Sequence, residues 1–389
     1  MIPGPGKLSI AGFVLTSFAC LALAQAPEGP MPPTPSASIQ ATPPDALAKL
    51  TARVTLVNAP VTVRDSGGRM IHNLDEQDFR VTDNGVPQKI IHFEVGGDPI
   101  SLVVIVETSS RIDPFFAQIR KTGILLTEQV MGPDAEAAVV GFDDNVALLQ
   151  GFTSSHDSIL SAMAALKTGE SGQRLFDAMA AGVEMLSGRR KPSPESAVPG
   201  RRVLLVISEA LDKGSTAALG EVLRRAQLEN ISIFSVGLST TRSELQSKPR
   251  GNAPAPITPP GTYGMPGPPG TVPLPGAGNN SGIDLLALAQ VLVEHTKSAA
   301  TQHSLEIGAA ATGGAYYSTF KGRSIESAID EIGGELHSQY FISYSPKPGS
   351  DSGSDYGYHE ISISLVPEKA DGKKISTRPG YYVPAPGSK

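Results

Sequence analysis

Nearly uninterrupted apolar runs at 102–106 (LVVIV), 137–142 (AAVVGF), 202–207 (RVLLVI) and 231–236 (ISIFSV) recur through the middle of the chain. Stretches with helical spacing separate or follow them at 113–130, 156–166, 174–187, 217–228 and 325–338. Such runs fit strands covered on both faces. Their alternation with helices predicts right-handed βαβ units in a mostly parallel sheet. Helical spacing also occupies 283–303 and ends near Thr312-Gly313-Gly314. Ahead of this region the pattern is different: VTLVNAPVTVRDSGG from residue 54, DFRVT at 78–82 and QKIIHFEV at 88–95 are short alternating segments broken by Ser-Gly-Gly and Asp-Asn-Gly turns. They predict a small β unit. After Tyr340 alternation returns in YFISYSP, YGYHEISISLVP and KKISTRPGYYVP, which predict two or three strands. These would either append a hairpin or complete a sheet with the β unit, and the pattern does not choose between them.

Composition sharpens this division. The chain has 389 residues, enough for two or three domains. About half of its Pro residues lie in two segments, a Pro/Ala-rich spacer at 25–50 and an insertion at 242–282 containing PRGNAPAPITPPGTYGMPGPPG. Neither carries apolar periodicity, so both are expected to be extended and solvated. The N-terminus has Lys7, an apolar run at 8–24 and Ala22-Leu23-Ala24 before Gln25, the arrangement of a cleaved secretory signal, with a retained membrane anchor as the alternative reading. The expected plan is a signal peptide at 1–24, the spacer, the β unit at 51–98, the α/β domain at 99–340 and a C-terminal β segment at 341–389. Cleavage would leave no stable membrane span in the mature chain and place it outside the cell or in the periplasm or envelope. Cys20, the single cysteine, lies inside the signal. Disulfide, thiol and zinc–thiolate chemistry are therefore not expected. The formal net charge of −6 argues against a nucleic-acid partner.

The first apolar run ends in a small polar cluster, SLVVIVETSSR at 101–111. Open α/β sheets bind ligands outside the carboxyl ends of their strands, so this loop is the first candidate for a site. It resembles the first strand and metal-binding loop of the von Willebrand factor type A family, whose usual pattern is Asp-x-Ser-x-Ser. The further blocks LDEQDF (74–79), NGVPQKIIHF (84–93), GFT (151–153), LFDA (175–178), RRVLLVISE (201–209), ISIFSVG (231–237), TGGAY (312–316) and TRPGYY (377–382) resemble, in order and spacing, members of that family found in acidobacterial and similar genomes. The resemblance implies an α/β fold with a mostly parallel doubly wound sheet, and a non-enzymatic adhesion or scaffolding role for an exported protein. It also maps the family's metal positions onto this chain, where most have changed. Glu107 replaces the first aspartate, Ser109 is retained, Arg111 replaces the second serine, Gln173 stands where a threonine is expected four residues before Asp177, and Glu209 replaces the aspartate after the fourth strand. Arg111 brings a fixed positive charge that would repel a divalent ion and pair with a carboxylate.

The expected partner-binding loop therefore comprises Glu107, Ser109, Ser110, Arg111, Gln173 and Glu209, with a protein as the ligand and no cofactor. Arg111 is expected to take the cation's place between Glu107 and Glu209. The alternative is a metal-dependent adhesion domain in which Glu107, Ser109 and Glu209 hold magnesium and a partner carboxylate completes the shell.

Enzymatic signatures are poorly represented. Ser318-Thr319-Phe320-Lys321 and Lys167-Thr168-Gly169 copy two pieces of an acyl-enzyme signature in reversed order and without Ser-Asp-Asn. The residues after Ser318 are expected to enter the last helix. The seven histidines form no His-Glu-x-x-His, Gly169-Glu170-Ser171-Gly172 is not a nucleophile elbow, and no phosphate-binding Gly-x-x-x-x-Gly-Lys occurs. An uncharacterised hydrolase remains a remote alternative. Asp351 and Asp355 fit a flexible turn better than a calcium loop. Arg189-Arg190-Lys191 and Arg201-Arg202 are expected to form a solvated basic loop.

Overall fold

The computed structural model describes residues 56–96, 99–132, 134–189, 200–238, 303–319, 324–347 and 357–383. The expected signal with Cys20, the expected spacer, the 242–282 insertion, nearly all of the 283–303 stretch, Arg190, Lys191, Lys321 and the expected turn at Asp351 and Asp355 lie outside them.

The N-terminal alternating segments form β1 (Val57–Arg64), β2 (Phe79–Asp83), β3 (Val86–Gln88) and β4 (Ile90–Val95). Asn84 and Gly85, both at positive φ, supply the two left-handed positions of a tight β2–β3 hairpin. The next elements are β5 (Ile100–Glu107), α1 (Phe116–Leu125), β6 (Glu136–Phe142), β7 (Val146–Thr153), α2 (His156–Ala164), α3 (Leu175–Ser187) and β8 (Arg201–Ser208). They continue as α4 (Leu219–Leu228), β9 (Ile231–Gly237), α5 (Ser304–Thr312), β10 (Tyr316–Ser318) and α6 (Ile325–Ser338). The C-terminal elements are β11 (Tyr340–Tyr344), β12 (Gly357–Leu365), the one-turn α7 (Pro367–Ala370), β13 (Lys374–Thr377) and β14 (Gly380–Val383).

A six-stranded sheet has the order β10-β9-β8-β5-β6-β7, with every pair parallel except β6–β7. Its central strands bury side chains on both faces, which is why their sequences read as continuous apolar runs. Leu102, Val104 and Val106 of β5 join the core under α1, α2 and α6. Val103 and Ile105 join the one under α3, α4 and α5. This is the doubly wound, mostly parallel α/β sheet that the sequence implied. The chain leaves β5 toward β6 on one side and later places β8 on the other, so the topological switch point lies between the carboxyl ends of β5 and β8.

Three local expectations are corrected. The stretch at 113–130 is not one continuous α-helix: a 3₁₀ segment at Ser110–Phe115 containing Pro114 precedes α1, and a π-helical turn at Leu126–Val130 follows it. Ser318 closes β10 instead of leading into the last helix, which starts at Ile325 behind the Ser324 cap. The described arginines of the expected solvated basic loop are engaged. Arg201 is buried and donates to the Leu336 carbonyl and to Gln339 Oε1. Arg202 pairs with Glu229, and Arg189 pairs with Glu136 while lying 4.4 Å over the Phe152 ring. Because β8 is an interior strand, the side chains at its start are covered from both sides.

The two terminal β segments interleave. β4, β11, β1 and β13 form one four-stranded sheet, and β3, β2, β12 and β14 form another. A shared core contains Val61, Phe79, Val81, Tyr340, Ile342, Tyr344, Ile361 and Ile363. The tail thus completes the β unit, and β11 threads between β1 and β4.

That core holds buried polar groups. Asp83 accepts hydrogen bonds from Tyr344 (2.9 Å) and Tyr381 (2.7 Å) and contacts His359 Nδ1 at 2.9 Å. Burial, reinforced by the Asp83 carboxylate, pushes both phenols far above their ordinary 10.0. Tyr317 is raised by burial and then by Glu335. These phenols favour the folded state fully below pH about 10 and lose that contribution as the pH rises toward their folded values. Arg378, lowered by burial from 12.5 to about 10, acts in the opposite direction above about pH 10. Three phenols outweigh one guanidinium, so stability is expected to fall steeply above about pH 10. Melting curves from about pH 8 to about pH 11, read with tyrosinate absorbance, test this. Ionisation of every tyrosine near 10 without loss of fold would contradict it.

Candidate functional site

The switch point is built around Glu107, the last residue of β5. Its side chain is fully buried and receives four hydrogen bonds. Ser109 Oγ (2.5 Å) and Gln173 Nε2 (3.2 Å) donate to Oε1, while Ser208 Oγ (2.8 Å) and the Glu209 backbone N–H (2.8 Å) donate to Oε2. All four donors are neutral. Glu209, directly after β8, has a side chain with no exposed surface and lies under Arg111, whose Nε and Nη2 reach its two oxygens at 3.0 and 2.6 Å. This is a bidentate fork. The hydrogen bond to Glu209 raises the Arg111 guanidinium above its ordinary value against the pull of burial, and the charges of Glu209 and Glu107 add to the rise.

Backbone contacts hold the surrounding loops in place. Thr108 N–H donates to the Phe142 carbonyl at 2.7 Å, Gly169 N–H to the Thr108 carbonyl at 2.7 Å, and Ser110 N–H to the Glu170 carbonyl at 2.9 Å. Thr168 Oγ1 donates to Asp113 at 2.5 Å, and Lys213 N–H to the Gln173 carbonyl at 2.7 Å. The loop at 167–173 lies directly on the β6–β7 turn: a Cβ on Gly169 would stand 1.9 Å from Asp143 Oδ2, and one on Gly172 would stand 1.6 Å from Asp144 Oδ1. Asp177, in the first turn of α3, accepts from the Thr216 and Ala217 N–H groups at 2.9 and 2.8 Å and so fixes the approach to α4. Burial pushes its carboxyl up, but the bonds from Ala217 and Thr216 outweigh this and hold it below the ordinary value.

All six sequence-selected residues lie at this edge. Glu107, Ser109, Gln173 and Glu209 are buried within it, Arg111 is partly exposed, and Ser110 is exposed on its rim. Arg111 pairs with Glu209, and no hydrogen bond joins it to Glu107 among the described contacts. Ser208 was not singled out from sequence, although a buried acid at one strand end calls for a hydroxyl donor at the end of its neighbour. Asp143 and the two glycines were also missed, since their roles depend on a loop-to-turn contact that local pattern does not reveal.

The chemistry of these donors bears on the divalent ion that the sequence resemblance implies. Magnesium requires oxygen lone pairs directed at one point. Here each Glu107 oxygen already accepts two hydrogen bonds, and both Glu209 oxygens accept from a guanidinium. Among the described residues, no group of three or more His, Cys, Asp or Glu side chains is placed to hold a metal. The residues present do not fit the ion.

No protein-family profile and no curated protein matches the chain. Among solved structures it is similar to the conserved hypothetical protein BatB from Bacteroides thetaiotaomicron, at 13% identity over 61% of this chain and 97% of that one, with a TM-score of 0.37. An aerotolerance-related membrane protein from Bacteroides fragilis gives 12% identity, 61% and 98% coverage and a TM-score of 0.36. The von Willebrand factor domain of the type V pili tip protein Mfa5 from Porphyromonas gingivalis gives 13%, 31% and 40%, and 0.25. Likeness this distant says nothing of what the chain binds. The strand order and the helices on both faces make the fold α/β, with a mostly parallel doubly wound sheet.

Proposed function

We propose that the chain is an exported, non-enzymatic protein-binding module of the adhesion or scaffolding kind, with the loops at the carboxyl ends of β5 and β8 as its contact surface. The observation that carries this reading is an exposed polar rim set on a frame whose inner hydroxyls are buried. Ser109 and Ser208 have no exposed surface, and both spend their protons on Glu107. Around them Ser110, Thr168, Glu170 and Lys213 form an exposed polar rim on a hydrogen-bonded frame, which supports a contact surface. Export rests on Lys7, the apolar run at 8–24 and Ala22-Leu23-Ala24. The ordered blocks from LDEQDF to TRPGYY support kinship with the acidobacterial type of the family. Among the described residues, no helix is long and apolar enough to cross a membrane.

A bulky side chain on the rim tests the surface. Wild type, Ser110→Trp and a control with Glu368→Trp on exposed α7 would be used to capture partners from the native envelope. A protein retained by wild type and control but lost with Ser110→Trp is expected. Equal retention by all three would remove this edge as the binding surface.

A further inference from the structure

We infer that Arg111 is a built-in replacement for the divalent cation, so that this site is locked by the protein itself and works without metal. Three observations meet here. The guanidinium forks onto Glu209 at 2.6 and 3.0 Å, and that carboxylate has no exposed surface. Glu107 lies at the neighbouring strand end with both oxygens saturated by neutral donors, one of them the backbone of Glu209 itself. Arg111 lies in the first turn of the 3₁₀ segment that follows β5, so its pairing clamps the β5 loop to the β8 loop, the two sides of the switch point. An ion bridging the same loops would do the same mechanical work. A guanidinium does it with directed hydrogen bonds and no free-ion requirement. The inference concerns the same loops as the binding reading, and its experiment contains no partner, so either can fail without the other.

The experiment compares wild type, Arg111→Ser and Arg111→Lys in thermal melts and calorimetric titrations with magnesium and manganese, against a chelator. Wild type is expected to melt at the same temperature in chelator and in either ion, with no saturable heat of binding. Arg111→Ser restores a hydroxyl and removes the repelling charge. It should melt lower in chelator, be stabilised by manganese or magnesium, and show the saturable heat of binding that wild type lacks. Arg111→Lys keeps a cation in place and should fold and ignore both ions. Saturable metal binding by wild type or by Arg111→Lys overturns the inference. So does an Arg111→Ser protein that folds but gains no response to either ion. An Arg111→Ser protein recovered only in the presence of manganese or magnesium supports it. One that cannot be recovered under any condition counts against it, because a cation replacement should be exchangeable for the cation.

Discussion

Replacing Glu335 by alanine is expected to lower the unfolding free energy by about 3–5 kcal/mol, the range for removing one member of a buried charged network. Glu335 lies on α6, and its side chain is 3% exposed. It joins the two parts of the fold: Thr62 Oγ1 of β1 donates to Oε1 at 2.6 Å, while Arg64 of β1 and Tyr317 of β10 donate to Oε2 at 2.9 and 2.6 Å. Gln339 continues the network by donating to Thr62 at 3.1 Å and to the Gly313 carbonyl at 3.2 Å. Alanine removes the shared acceptor of three donors, of which Arg64 keeps the Gly68 carbonyl and the Tyr317 hydroxyl as acceptors. Arg64 is partly exposed and can turn to water, but Thr62 and Tyr317 cannot. Glutamine retains one acceptor oxygen, so Glu335→Gln should cost roughly half as much. Denaturant unfolding of the three proteins checks the order. An alanine variant within about 1 kcal/mol of wild type would mean that the cost of burying the carboxylate cancels its bonds.

This joint was invisible in the sequence, and the reason is physical. Glu335 sits in a helix whose apolar positions Ile325, Ile329, Ile332 and Leu336 give a clear period. Nothing in that period says that one acidic position faces another domain. The same limit applies to β7, whose edge position leaves Leu148 and Leu149 exposed and breaks the covered-strand pattern that revealed β5, β6, β8 and β9. Three-residue β10 was too short to produce any pattern. By contrast, burial on both faces wrote itself directly into the central strands, and strand ends in such sheets converge by construction. That is why Glu107 and Glu209, 102 positions apart, could be placed at one edge beforehand. The pairing of β11 with β1 and β4 could not be read, because alternation marks a strand and not its neighbour.

The second large effect is expected at Glu107, where substitution should separate shape from hydrogen-bond polarity. Glu107→Ala orphans four donors in a site with no exposed surface, and at about 1 kcal/mol each the loss is at least about 3–4 kcal/mol. Glu107→Gln keeps the shape but turns one of its two terminal atoms into a donor. If the amide nitrogen takes the Oε2 position, it meets the Glu209 N–H, which cannot turn away, and Ser208, whose hydroxyl can. If it takes the Oε1 position, it meets the Gln173 amide, which can flip because Gln173 Oε1 has no hydrogen-bond partner of its own. Glutamine should therefore settle in the second orientation and cost about 1–3 kcal/mol. Adding Gln173→Leu to Glu107→Gln removes that adaptable partner and should cost more than the sum of the two single changes. Denaturant unfolding measures these differences, and hydrogen exchange at residues 108–113 reports whether the loop opens before the sheet. Loop opening at unchanged global stability would show that Glu107 serves the contact surface more than the fold. Additivity of the double variant would show that Gln173 does not adapt, and that the four donors act on Glu107 independently.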